Sequence, residues 1–296
     1  MRSEGDATMG GVRVGEAIGQ TVRFVEVAWR RAWGVMLVVV WLAAALGAIQ
    51  VLRPNWTAAP FLGGLVNLFA SAAMAGALFR IGVEARHPGD AAFRAHAAGL
   101  QWGSLEWRVL GARIILGLIF LAAIFVVAII WGVAVGVSAM ADRADVTALT
   151  TGDNAAKGAA ALHMLAGPAG VISVAIWLPT LAAALYFGAR LSLYPLLAAD
   201  TRAFNFAQSW RTTRGAVMAI VVTWIVSFLA QMLLAVVVGG MLGAIAAMLG
   251  HSGAARGWGS IGGQAASVAI AGPLAAGLQL YIYNALGSGD TAATFA

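Results

Sequence analysis

The chain carries four histidines, His87, His96, His163 and His251, twelve Asp and Glu residues, and no cysteine. Lacking Cys, it has no disulfide, thiolate metal site or thiol nucleophile. No HExxH, GxSxG or GxxxxGK[ST] pattern occurs. His87 and Asp90 are neighbours in the stretch HPGD, but Pro-Gly between them reads as a turn rather than as spacing for metal ligands. The expectation is a non-enzymatic protein with no catalytic residue, metal or cofactor. No acid falls deep inside an apolar run, and Glu84 and Glu106 stand at run edges. Proton relays in pumps use carboxylates or His within the membrane, so this placement argues against proton-coupled transport.

Polar residues inside the apolar runs include Asn67, Ser71, Ser173, Thr223, Ser227, Gln231 and Gln279. Asn67, Gln231 and Gln279 are the candidates for lining a polar path. The favoured reading of the whole set is hydrogen bonding between helices. Arg190 ends WLPTLAAALYFGAR and precedes LSLYPLLAAD, which is still largely apolar. An Arg at the centre of a span costs about 2.5–3.5 kcal/mol, so Arg190 is placed at headgroup depth. There it either snorkels or pairs with Glu84, Glu106 or Asp200. Arg190, Arg211 and Arg214, with Arg30 and Arg31, are the candidates for holding anionic lipid headgroups.

These residues need elements that hold them at defined depths. The 296 residues are 61% hydrophobic and 10% charged, against about 25% charged in soluble domains. That composition cannot cover a water-facing surface. It predicts an all-α, polytopic membrane helix bundle forming one integral membrane domain over residues 1–296. A span needs about 20 apolar residues, and six runs qualify: 33–52, 60–83, 114–140, 165–194, 216–249 and 258–286. The first is longer than the apolar core of a signal peptide and reads as a span. Pro179 and Pro273 lie inside runs as kink points. Of the eighteen basic residues, only Arg53, Arg143, Lys157 and Arg256 fall on the side opposite the N-terminus. The positive-inside rule then predicts both termini in the cytoplasm. A nucleic-acid partner would call for a basic stripe on a soluble fold, and neither is present.

Two amphipathic segments flank spans. Over 12–32, Val14, Ile18, Val22, Val25 and Trp29 share a face, with Arg13, Glu16, Gln20, Arg23 and Arg30 largely opposite. Over 200–214, Ala203, Phe206, Ala207 and Trp210 share a face, with Asn205, Ser209 and Thr212 outward. Each reads as an interfacial helix, lying on lipid or on the protein's own spans. Residues 86–108 read as a loop with a short amphipathic piece near 105–108, and 150–161 as a flexible stretch. Small-residue pairs at Ala72/Gly76, Gly132/Gly136, Gly239/Gly243 and Gly259/Gly263 are candidates for close helix packing.

A shift of 181 residues lays Trp29, Arg30 and Gly34 on Trp210, Arg211 and Gly215. The pattern is either an internal duplication or one interface solution used twice, since Trp and Arg gather at membrane interfaces anyway. The stretch RLSLYPLLAAD, followed by FNFAQSWRTTRG, carries Arg190, Pro195, Ser209, Trp210, Thr213, Arg214 and Gly215. It resembles bacterial multi-span proteins related to the membrane domain of glycerophosphoryl diester phosphodiesterases, and the N-terminal amphipathic segment is similar to that group's opening helix. About a third of the chain shares the likeness. It implies residence in a bacterial inner membrane and lipid handling, without the soluble hydrolase domain. The expected role is an accessory or scaffold protein contacting anionic lipids and a protein partner or second copy. The alternative is a transporter or channel for a small molecule or lipid.

Overall fold

The computed structural model describes residues 8–9, 12–53, 55–87, 89–94, 96–139, 147, 151, 153–249 and 255–287. Arg2, Arg143 and His251 lie outside the described residues. Apart from the two-residue antiparallel strands Thr8–Met9 and Val12–Arg13, the regular structure among the described residues is helical. Among the described residues the α-helices are α1 Val14–Arg31, α2 Trp33–Leu52, α3 Ala59–Val83, α4 Ser104–Ala139, α5 Asn154–Ala166, α6 Pro168–Leu191, α7 Tyr194–Asp200, α8 Phe206–Thr212, α9 Val217–Met248 and α10 Ala255–Gly287. Among the described residues six segments are long and apolar enough to cross a membrane: Trp33–Gln50, Phe61–Val83, Ser104–Ser138, Pro168–Asp200, Val217–Met248 and Ile261–Leu286. The chain has the build of a multi-pass membrane protein.

The helices gather into two compact units where the sequence reading treats the chain as one domain. One unit runs to Arg113 and resumes at Ala189; the other is Ile114–Gly188. In the first, α10 is the central helix and packs on α9, α2, α1 and α3. Glycines set the closest contact. A Cβ on Gly239 would lie 2.6 Å from the Gly259 carbonyl oxygen, and one on Gly263 would lie 3.0 Å from that of Ala235. The predicted pairs on α9 and α10 therefore face each other and bring two backbones together. The Gly132/Gly136 pair meets nothing within 4 Å.

Helix α1 buries a different stripe from the one predicted. Ala17, Thr21, Phe24 and Ala28 are buried, whereas Val22 is 58% exposed. Small side chains let α1 approach α10 closely, and Phe24 settles over Gly277, 3.0–3.3 Å from where a Cβ would stand. The predicted face, Ile18 through Trp29, lies about one residue's rotation away and stays half-buried or exposed. The helix thus has one stripe for the protein and one for the surroundings.

Helix α4 starts ten residues before the predicted span, and the expected loop piece at 105–108 is its first turn. Leu105, Val109 and Ala112 are buried at helical spacing. Glu106, three residues after Gly103, accepts the Gly103 N–H at 2.7 Å, one arm of a capping box. The three single 3₁₀ turns 84–86, 91–93 and 97–99 fill the rest of the α3–α4 connection.

In the second unit, Trp131 Nε1–H of α4 donates to Ser173 Oγ of α6 at 2.9 Å, and the Trp131 and Trp177 rings lie 6.2 Å apart. Leu118, Leu121, Phe125, Val171, Val174 and Leu178 are exposed, a surface that demands an apolar surrounding. Of the stretch expected to be flexible, residues 154–161 form part of α5, and residues 150 and 152 lie outside the described residues. Alanine has the highest helix propensity, and Asp153 caps the helix by accepting the Ala156 N–H at 2.7 Å.

Candidate functional site

Two of the residues that carry the family resemblance, Ser209 and Thr213, meet on one carbonyl, that of Arg190. Pro195 has no N–H to offer the Leu191 carbonyl four residues back, and the helical run breaks at residues 192–193 between α6 and α7. Near that break the Arg190 carbonyl accepts from Ser209 Oγ at 2.8 Å and Thr213 Oγ1 at 3.1 Å. Two hydroxyls from α8 and its following turn thus satisfy a helix-terminal acceptor. The Arg190 guanidinium donates to the Trp210 carbonyl at 2.9 Å and lies 4.8 Å over the Trp210 ring, a cation–π contact. Ser209, predicted outward, is fully buried, because its hydroxyl serves this carbonyl. Gly215 has φ +87°, and nothing lies within 4 Å of its Cβ position. It is needed for a left-handed turn, not for close passage of another helix.

At the same end of the first unit the acids are engaged by the protein itself. Arg80 Nη1 and Nη2 donate to Glu106 Oε1 and Oε2 at 2.5 and 2.8 Å, with 6% and 0% of the two side chains exposed. Arg80 Nε also donates to the Ala92 carbonyl at 2.9 Å. Glu106, expected at an interface edge, is therefore fully buried, and an Arg 26 residues away makes this tolerable. His87 Nε2 lies 2.6 Å from Asp200 Oδ1, and its ring stacks on Phe93 at 4.0 Å. Tyr283 donates its hydroxyl to Asp200 Oδ2. Arg86 donates to Asn284 and covers the Tyr283 ring at 4.5 Å. Arg202 pairs with Asp90. Among the described residues no three His, Asp or Glu side chains group as a metal site would require.

The five headgroup candidates separate. Arg190 turns inward to Trp210 and pairs with none of the three carboxylates named for it: Glu84 binds Arg31 at 2.7 Å, Glu106 binds Arg80 and Asp200 holds His87 and Tyr283. Arg30 bonds Glu26 at 2.6 Å one helical turn back, with both groups mostly exposed. Arg211 and Arg214 are exposed, and among the described residues neither side chain has an ion-pair partner.

The intramembrane candidates separate too. Asn67 lines a cleft of about 870 Å³ between α2, α3, α9 and α10, together with Gln50, Gln264 and several glycines. Gln231 and Gln279 are half-buried elsewhere on α9 and α10. Of the polar residues read as interhelical glue, Ser173 takes that role. Ser71 and Thr223 instead bond back to carbonyls of their own helices at 3.0 and 2.7 Å. Gln50 and Gln264 went unread because each stands near the end of an apolar run; their spacing from Asn67 in sequence carries no signal.

Comparison with protein-family models, with characterised proteins and with solved structures gives no match.

Proposed function

We propose that the protein is a non-enzymatic accessory or scaffold protein of a bacterial inner membrane that holds anionic lipid headgroups at Arg211 and Arg214, with both termini in the cytoplasm. The observation that carries this reading is the imbalance of partners at one end. Glu26, Glu84, Asp90, Glu106 and Asp200 each hold a side chain of the protein, while Arg211 and Arg214 stand exposed around the turn at residues 213–216. Free arginines beside an interfacial helix attract anionic lipid at about 1 kcal/mol each. The resemblance of this stretch to bacterial lipid-handling membrane domains supports the same reading.

Native mass spectrometry of protein released from phosphatidylglycerol-containing membranes tests it. Arg211→Ala with Arg214→Ala should retain fewer anionic lipids than the wild type, while Arg190→Ala should act through stability instead. Equal retention in wild type and the double variant would remove the proposal. Reporter fusions at Lys157 should locate it on the side opposite the N-terminus; a cytoplasmic Lys157 would overturn the orientation.

A further inference from the structure

The cleft between α2, α3, α9 and α10 belongs to the half of the first unit remote from the ion pairs. Asn67 lies six residues inside the span Phe61–Val83 and Gln264 three residues inside Ile261–Leu286, roughly 9 and 5 Å along each axis. Gln50 stands near the far end of α2. All three residues line the cleft. Among the described residues none of the three side chains has a hydrogen-bond partner. Carboxamides without protein partners at the edge of the apolar layer favour a hydrogen-bonding guest, and three of them stand around one cavity.

The lining defines that guest. Among the described residues the lining contains no Lys, Arg, His, Asp or Glu, so a charged headgroup seated on them would lose its hydration with no counter-charge. A carboxamide offers one acceptor and two donors, which suits hydroxyls and ester carbonyls. Leu46, Val236 and Val268 supply apolar wall. Gly64, Asn67, Val236 and Gly240 on the rim are exposed, so the cleft opens sideways on the spans, toward acyl chains. Cβ atoms on Gly64 and Gly240 would meet nothing within 4 Å; the space they leave is cleft volume. About 870 Å³ is the size of a ligand cavity, about 300–1,000 Å³. A docked transmembrane helix is about 30 Å long and 10–12 Å across and needs a longer groove.

We infer that this cleft binds an uncharged lipid from the bilayer, with Gln50, Asn67 and Gln264 bonding its hydroxyl and ester groups. The site is separate from Arg211 and Arg214 and does not depend on them. The test uses full-length protein in nanodiscs of phosphatidylethanolamine and phosphatidylglycerol doped with a diazirine-bearing dioleoylglycerol. Photolabel should concentrate on peptides containing Asn67 or Gln264 and be displaced by unlabelled dioleoylglycerol, not by added phosphatidylglycerol. Gly64→Leu with Gly240→Leu adds bulk at two positions where a Cβ has open space and should cut labelling severalfold. Asn67→Leu keeps the side-chain size, and loss of its bonds should lower labelling by about fivefold, with thermal unfolding no earlier than in wild type. Label spread evenly over lipid-facing residues such as Val171 and Leu178 overturns the inference. So does label unchanged in both variants, or cross-linking of the cleft to a second copy of the chain.

Discussion

The two Trp-Arg-Gly joins look alike in sequence and are built differently. At the first, a single residue separates α1 from α2. Only Ala32 leaves helical geometry, and its N–H still bonds the Ala28 carbonyl at 2.7 Å. At the second, α8 ends and residues 213–216 turn before α9 begins. The matched glycines do unlike work. Gly34 lets α2 meet the α3–α4 connection, since a Cβ there would lie 2.7 Å from Ala98 Cβ and 2.9 Å from its carbonyl oxygen. Gly215 has empty space around it and serves its φ of +87°. The 181-residue shift also lays Ala28 and Ala32 on Ser209 and Thr213. All four are fully buried, but only the second pair has hydroxyls, and only the second join has an open carbonyl to receive them. A shared interface motif thus fixes where Trp and Arg sit, while the buried residues between them decide whether the chain continues or turns.

The strongest way to break this contrast is to remove the brace of the first join alone. Arg31 reaches Glu84 and Gly34 abuts Ala98, so the first join leans on the α3–α4 connection, which Arg80 and Glu106 hold together. Glu106→Ala leaves the Arg80 charge buried and should cost about 3–5 kcal/mol. Arg80→Met with Glu106→Met should recover most of that loss. Thermal unfolding in detergent measures the cost. Hydrogen exchange should rise at residues 97–103 and 32–36 well before residues 206–216. Equal loosening of both joins would show that they form one mechanical element.

Hydrophobic length made the spans legible: the run 33–52 is α2 to the residue, because an apolar stretch of that length has one stable disposition in a bilayer. The glycine pairs on α9 and α10 were legible for the same local reason. Pairings between distant residues were not. Arg80 and Glu106 each read as an ordinary interface charge, and their mutual burial depends on how the connection folds back. The buried stripe of α1 escaped because alanine and threonine weigh little in a hydrophobic pattern, though they permit the closest packing. The acid at the third position of α4 was the available sign that the helix begins at Ser104. The cleft amides sit on three helices, and only the tertiary fold brings them together.

Alanine and asparagine substitutions at the two glycines sharpen the contrast at intermediate cost. Gly34→Ala forces a Cβ against backbone that cannot yield and should cost about 1–3 kcal/mol. Gly215→Ala costs about 1–2 kcal/mol for the left-handed conformation. Asparagine should reverse the order of tolerance between the sites. Asn adopts φ > 0 more readily than Ala, so Gly215→Asn should be milder than Gly215→Ala. Gly34→Asn should be worse than Gly34→Ala. Ala98 itself has φ +61°, so Ala98→Gly should relieve part of the Gly34→Ala penalty by freeing the opposing backbone and removing its Cβ. Parallel responses at the two glycines would mean that the joins share one geometry.

The smallest effect comes from giving the second join the residues of the first. Ser209→Ala removes one donor to the Arg190 carbonyl, which Thr213 still partly serves from 3.1 Å. The expected loss is about 1 kcal/mol. Thr213→Ala alone should cost a similar amount, because its hydroxyl divides its bond between Arg190 and the Ser209 carbonyl at 2.8 Å. The two together should cost more than the sum of the single changes, since only the double variant leaves the carbonyl buried and unserved. If it is as stable as wild type, alanines suffice at this position as they do at Ala28 and Ala32, and the hydroxyls do not cause the turn. A loss larger than the sum, with Arg190 released from Trp210 and Trp fluorescence shifted accordingly, makes the capped carbonyl the feature that separates the second join from the first.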